Sequence, residues 1–168
     1  MKEIKLTQGK SAQVDNEDFE YLDQFKWQAH WDGYNWYAVR TVYNPKRLII
    51  MHRVIMKTPD NLEVDHVNHN GLDCQKNNMR NCTHGENMMN SKKIKGVSQY
   101  LGVTVINNGP LKGRIVAQIN VHKKKMHLAV CKTEIEAARI RDKAALKYYG
   151  KFATFNFPEE YKKFLSKL

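Results

Sequence analysis

Between Leu62 and Asn90 the chain gathers carboxylates, imidazoles and side-chain amides at a density that a buried core cannot use. The run reads Val64-Asp65-His66-Val67-Asn68-His69-Asn70-Gly71-Leu72-Asp73, then Asn77-Asn78-Met79-Arg80-Asn81, then Thr83-His84-Gly85-Glu86-Asn87. Short amides bond nearby backbone and tolerate turn geometry, so this composition predicts short elements joined by a shaped loop. Leu62 and Val64 form an apolar approach that fits a strand, in which neighbouring side chains project to opposite faces. Asp65 and His66 can therefore do different jobs. Thr83-x-x-Glu86 is a capping box, which predicts a helix that carries Asn87 on its first turns.

The donor types suggest a reaction. A hard cation such as Mg²⁺ takes only one or two protein oxygens and leaves its other positions to water and phosphate. Asp65 and Asn87 are the candidate metal ligands. His66 is the candidate general base, and Asn78, in the loop before the helix, can bond either backbone or the imidazole to fix its tautomer. An ordinary imidazole ionises near pH 6.5, so activity is expected to fall as pH drops through that region. His69 and His84 are spare imidazoles, and Asn90 is either a further ligand or a helix-surface amide. Asn68, Asn70, Asn77 and Asn81 read as loop-shaping amides, and Asp73 as a turn residue.

Asp65-His66, Asn78 and Asn87, with the flanking words Met51-His52-Arg53, Leu62-Glu63-Val64-Asp65-His66 and Asn87-Met88-Met89-Asn90, resemble the ββα-metal signature of HNH endonucleases of the phage and bacterial homing type. The resemblance covers roughly residues 48 to 92. It implies that Asp65 and Asn87 hold Mg²⁺, with Mn²⁺ as a substitute, that His66 is the base, and that Asn78 is the structural middle residue. Many such nucleases carry a histidine where Asn87 stands here, and an amide oxygen is less suited to a soft metal.

Charge points to the same class of partner. The 168 residues carry 28 Lys and Arg against 17 Asp and Glu, a formal net charge of +11, which favours a polyanion such as double-stranded DNA. The length allows one ordinary domain or two small ones. Cys74, Cys82 and Cys131 are an odd number at spacings that fit neither a disulfide framework nor a zinc knuckle, so no structural zinc and a reducing compartment are expected. Met1 to Lys5 form no apolar leader and no stretch is long enough to span a bilayer, so a cytoplasmic location in a bacterial or phage-infected cell is the expectation.

Ahead of the polar stretch, residues 1 to about 50 read as short strands, with a possible short helix from Asp15 to Asp23 capped by Asp15 or Asn16. Asp32-Gly33 predicts a hairpin leading into Trp36–Tyr43, and Asn44-Pro45-Lys46 a second turn before Leu48–Met51. Trp27, Trp31, Trp36 and Tyr37 fit the core of a small antiparallel sheet better than a base-stacking platform. Arg40, Arg47 and Arg53, with Lys46, are candidate DNA contacts, whereas His52 reads as structural. Ser91 to Gly96 is basic and suits a linker along the phosphate backbone, with Lys92 and Lys93 as contacts.

Residues 99 to 157 predict three strands and a helix: Tyr100–Ile106, Arg114–Val121, Met126–Val130, and a helix capped by Thr133 with Glu136 three residues on and stopped by Gly150. A helix across one face leaves the other for a ligand, with Arg114, Val116, Gln118 and Asn120 on it at period two. Tyr100-Leu101-Gly102-Val103, Gly113–Ile119, Thr133-x-x-Glu136-Ala137-Ala138-Arg139-x-x-Asp142-x-Ala144-Ala145, Gly150 and Phe155-Asn156-Phe157-Pro158 resemble the DNA-binding domain of plant Apetala/ethylene-response factors. That resemblance implies a sheet in the major groove, with Arg114, Gln118, Asn120, Lys125 and His127 facing DNA. The first strand carries Leu101, Thr104 and Ile106 where the plant domain has arginines, so its target sequence does not transfer.

The expected fold class is α+β: a small N-terminal antiparallel sheet and a central ββα-metal motif in residues 1–95, then a three-stranded antiparallel sheet plus one helix in 96–168. The expected activity is metal-dependent hydrolysis of DNA phosphodiesters, by a monomer or by a dimer assembled on DNA, with no membrane and no small-molecule cofactor. The competing expectation is a catalytically inactive DNA-binding regulator on the same fold. No aromatic ribonucleoprotein motif supports RNA as the partner.

Overall fold

Alternating apolar residues in the first fourteen positions produce the first hairpin: β1 (Lys2–Lys5) pairs antiparallel with β2 (Ser11–Val14), placing Ile4 opposite Ala12, both buried. The computed structural model describes residues 1–90, 98–121 and 123–165 and divides them into two compact units, Met1–Asn87 and Met88–Leu168. It is α+β, built from small antiparallel sheets and short helices. Among the described residues no helix is long and apolar enough to cross a membrane.

In the first unit α1 (Asn16–Leu22) follows β2, with Asp15 at its N-cap. The Asp15 carboxylate does not cap the helix but accepts the Lys76 amide at 2.8 Å, tying a distant loop to this corner. β3 (Gln28–Trp31), β4 (Trp36–Tyr43) and β5 (Lys46–Ile50) form an antiparallel sheet in that order. The turn between β3 and β4 forms at the expected place, because Asp32 Oδ1 accepts the backbone N–H groups of Tyr34 and Asn35 while Gly33 takes φ +102°. Trp27 is in the core, its indole N–H donating to the Leu22 carbonyl at 2.8 Å. Trp31 departs from the expected core role: it is 48% exposed, its ring 5.4 Å from that of Trp36 and tilted 48° to it.

The sheet leads into α2 (Met51–Ile55), then β6 (Glu63–His66) and β7 (Met79–Cys82), a two-stranded antiparallel pair followed by α3 (His84–Met89). Ile4, Val14, Leu22, Trp27, Met51, Val64 and Met79 meet in one core beneath them. The link from β6 to β7 packs closely over β4. A Cβ on Gly71 would lie 2.5 Å from the Trp36 carbonyl and 2.6 Å from the Tyr37 ring, so only glycine fits.

In the second unit β8 (Val103–Val105), β9 (Ile115–Val121) and β10 (Lys124–Cys131) form an antiparallel sheet with β9 central. β8 is shorter than expected because Gly102, at φ +72°, turns the chain just before it; a Cβ there would strike the Gln118 carbonyl at 2.5 Å and Arg141 at 2.6 Å. α4 (Glu134–Tyr149) begins as the sequence predicts, with the Thr133 side chain accepting the Glu136 N–H and Gly150 at its C-cap. A further helix, α5 (Pro158–Leu165), lies beyond the expected elements and buries Tyr161.

The α4 core face is not purely apolar. Alongside Ala137, Ala138 and Ala145 it buries Arg141 and Asp142, the latter with no exposed surface. Asp142 accepts from the backbone N–H of Asn156 at 2.7 Å and of Phe157 at 3.0 Å, from the Asn156 amide at 3.0 Å and from Arg141 at 3.2 Å. Asn156 in turn accepts the Leu101 N–H at 2.7 Å and donates to its carbonyl at 3.1 Å. One carboxylate thus anchors the chain on both sides of the sheet and helix. Replacing it leaves several buried donors unmatched, so Asp142→Ala is expected to cost about 3–5 kcal/mol in urea unfolding followed on the second unit's amide signals; a loss under about 1 kcal/mol would contradict this anchoring role.

Candidate functional site

The pleat of β6 sorts the candidate residues. Glu63 and Asp65 project to one face, Val64 and His66 to the other. On the first face Asp65 stands opposite Arg80 of β7, whose Nε and Nη2 reach its Oδ2 at 2.7 and 2.6 Å; Asp65 is only 3% exposed. Glu63 holds two partners, the Asn87 amide N–H donating to Oε2 at 2.7 Å and His84 Nδ1 lying 2.9 Å from Oε1. The Asn87 hydrogen bond, opposed by partial burial and helped by His84, keeps the Glu63 carboxyl below its ordinary ionisation range.

Asn87 is delivered to that face by local chemistry that was legible in the sequence. Thr83 and Glu86 form the predicted capping box: Glu86 Oε2 accepts the Thr83 N–H at 2.8 Å and the Glu86 N–H donates to Thr83 Oγ1 at 3.3 Å. The Asn87 N–H then closes on the Thr83 carbonyl at 3.0 Å. Asp65 and the Asn87 amide therefore belong to the same side of β6, each offering hard oxygen chemistry. Among the described residues no three His, Cys, Asp or Glu side chains gather in a metal-holding group, and the pair that could offer oxygens to a cation is the Asp65 carboxylate with the Asn87 amide. It fits an oxygen-seeking ion such as Mg²⁺ or Mn²⁺.

His66 lies on the opposite face, 5% exposed, its ring 5.0 Å from the His52 ring and 6.0 Å from that of Tyr37 between ring centres. Burial lowers its pKa to about 4, against the opposing pull of the Asp65 and Asp73 carboxylates. His52 is lowered to about 3 by burial first, then by His66 and Arg53. The ordinary value near 6.5 assumed for a solvated imidazole does not apply at this position, because the environment excludes the water that would solvate the cation.

Of the two roles open to Asn78, the one realised in its hydrogen bonds is to the backbone. Its carbonyl accepts the Asn68 N–H at 3.0 Å and its amide donates to the Asp73 carbonyl at 2.8 Å, closing the loop that separates His66 from β7. Asn68 and Asn70 shape that loop as expected, each accepting an N–H two residues on. Asn81 instead reaches out of it, accepting the Thr58 hydroxyl and donating to the Met56 carbonyl. His69 takes a positive φ of 62° in the same loop, and Asn90 accepts the Thr154 hydroxyl at 2.7 Å.

The candidate DNA contacts divide into free and committed cations. Arg53 donates to the carbonyls of Leu62, Thr58 and Pro59, clamping the approach to β6, and the Arg40 guanidinium lies 3.8 Å over the Phe25 ring. Arg47 is exposed on β5. Lys92 and Lys93, with the rest of the expected linker, lie outside the described residues. In the second unit Ala117 and Ile119 face α4, and Gln118 and Asn120 face away. Register pairs Gln118 with His127 and Asn120 with Lys125, and a bulge follows between His127 and Ala129. The Gln118 amide also bonds Thr104 Oγ1 at 2.7 Å, and Arg114 is exposed just before β9. Val116, in the same row, is buried.

The chain matches no known protein-family model, and no solved structure matches it. Glu63 and Arg80 are the site residues that reasoning from sequence passed over. The signal for Glu63 was its place two residues before Asp65, which puts both carboxylates on one face.

The buried imidazoles make a direct prediction. In an NMR titration the ring signals of His52 and His66 should stay those of neutral imidazole from pH 8 to 5, with midpoints near 3 and 4. A midpoint near 6.5 for either would refute their burial. Because both folded pKa values lie below the unfolded one, the unfolded chain binds these protons first. Their contribution to stability is intact above about pH 6.5 and is lost as pH falls toward 3.

Proposed function

We propose that this chain is a divalent-metal-dependent DNA endonuclease of the HNH type, with the second unit as its duplex reader. The observation that carries the reading is the shared face of β6, where Asp65 and the Glu63-held amide of Asn87 stand beside a two-stranded antiparallel sheet and its following helix. These are the elements and positions on which the resemblance to HNH nucleases rests. Asp65 and Asn87 would hold the cation, which supplies charge compensation for the phosphate and for the departing 3′ oxygen.

The chain's own residues supply the rest. Arg80 fixes the direction of the Asp65 carboxylate, its Nε and Nη2 both reaching Oδ2. His66, neutral at neutral pH because burial lowers its pKa to about 4, would take the proton of the attacking water once substrate brings that water to its ring, and the same lowering makes it a weaker base than a solvated imidazole. Asn78 keeps the loop after His66 closed, and Gly71 lets that loop sit against β4. The formal charge of +11, with Arg47 on the first unit and Arg114, Lys125 and His127 with Gln118 and Asn120 on the second, supports a double-stranded DNA partner through phosphate contacts and a groove-facing sheet. One such site per chain suits nicking by a monomer, and two chains assembled on a duplex would cut both strands.

A second reading, a DNA-binding regulator without cleavage activity, is favoured by one feature: the His66 ring is 5% exposed and faces His52 and Tyr37 rather than open solvent. Plasmid cleavage in Mg²⁺ separates the two. The nuclease reading expects His66→Ala to lower the cleavage rate by about 10²–10⁴-fold while gel-shift affinity for the same plasmid fragments stays within about twofold. No cleavage by the wild-type chain in Mg²⁺ or Mn²⁺, with DNA binding intact, would leave the regulator.

A further inference from the structure

We infer that Glu63 is a positioning residue for the metal site, holding the Asn87 side chain so that its carbonyl oxygen, not its nitrogen, is the end presented toward a cation on the Asp65 side of β6. This inference rests on the nuclease reading and says what the contact between Glu63 and Asn87 does for the site.

An asparagine amide has one oxygen that can bind a cation and one nitrogen that cannot, and the two are nearly equal in shape. Which end faces a site is decided by the partner of the other end. An ionised carboxylate only accepts hydrogen bonds, so Glu63 Oε2, 2.7 Å from Asn87 Nδ2, admits the nitrogen and rejects the oxygen. Glu63 is two residues from Asp65, so the amide it holds lies against the strand face that also carries Asp65. Its second oxygen is engaged by His84 Nδ1 at 2.9 Å, which limits rotation of the carboxylate. The capping box sets where α3 begins and therefore where Asn87 and His84 stand, so both partners of Glu63 come from one helical turn. Partners behind a ligand commonly change metal affinity by about 10–100-fold when removed.

The test uses the full chain without DNA and Mn²⁺ as the probe. Side-chain and backbone amide signals are followed by NMR, because paramagnetic broadening reports even weak binding and gives a dissociation constant without any catalytic turnover. In the wild type, broadening should centre on Asp65 and Asn87. Glu63→Gln, nearly isosteric but able to donate to the Asn87 oxygen, should weaken Mn²⁺ binding by about tenfold or more. Asn87→Ala should weaken it similarly, and the double variant should bind no more weakly than Asn87→Ala alone, since Glu63 acts through Asn87.

Additive losses in the double variant would overturn the inference by making Glu63 a ligand in its own right. Wild-type-like Mn²⁺ binding by Glu63→Gln would overturn it as well, while leaving the nuclease reading standing. A wild-type chain with no Mn²⁺-broadened signals at Asp65 or Asn87 would remove the metal site itself, and the inference with it. Should Glu63→Gln not fold, Glu63→Asp, which withdraws the carboxylate by one methylene, replaces it in the same cycle with the same criteria.

Discussion

The pleat of a four-residue strand is the constraint on which the site depends. Because side chains alternate along β6, Glu63 and Asp65 are committed to the face that receives α3, and His66 to the face that packs toward α2 and β4. A register slip of one residue relative to β7 would exchange the two sets. It is resisted because Val64 must enter the core with Met79 and Met51, and because Asp65 meets Arg80 only in the observed register. Packing, electrostatics and candidate chemistry are therefore fixed by the same alignment.

The loop between the paired strands converts that alignment into a rigid unit. Asn68, Asn70, Asp73 and Asn78 bond one another and the loop backbone, and Gln13 of β2 exchanges hydrogen bonds with the Leu72 carbonyl and the Cys74 N–H at 2.8 Å each. Lys76 is held by Asp15 through its backbone and by Asp18 through its ammonium. The amides that looked surplus in sequence are spent on satisfying a loop that runs close to the core. The closed loop leaves His66 buried against His52 and Tyr37, where burial more than a neighbouring charge sets its protonation.

Legibility followed the range of the interactions. The hairpin at Asp32-Gly33, the capping box at Thr83, the N-cap at Thr133, the stop at Gly150 and the outward row of Gln118 and Asn120 were all readable, because each depends on residues a few positions apart. What escaped depends on distant partners. Arg53 looked like a surface cation, but the carbonyls it clamps come from the turn before β6. Asp142 and Asn156 stood in the sequence as separate words, and nothing local joins them or announces that the α4 core face would accept an ion pair. Glu63 stands in the sequence only as part of the word Leu62-Glu63-Val64-Asp65-His66, and its partner comes from α3. The ordinary imidazole value failed for the same reason, since exposure is a property of the packed molecule.

The second unit obeys the same logic on a larger sheet: a buried carboxylate fixes the helix on one face, and the opposite face carries polar side chains in register across β9 and β10. Two small modules, one carrying a carboxylate and an amide on one strand face and one a polar sheet, stand in a chain of formal net charge +11. The central claim is that Asp65 and Asn87 can share one hard cation. Anomalous diffraction from crystals soaked in Mn²⁺ tests it most directly. The account predicts a single strong peak within about 2.0–2.4 Å of an oxygen of each residue; an anomalous map with no peak there, or with its peak on other side chains, would contradict it.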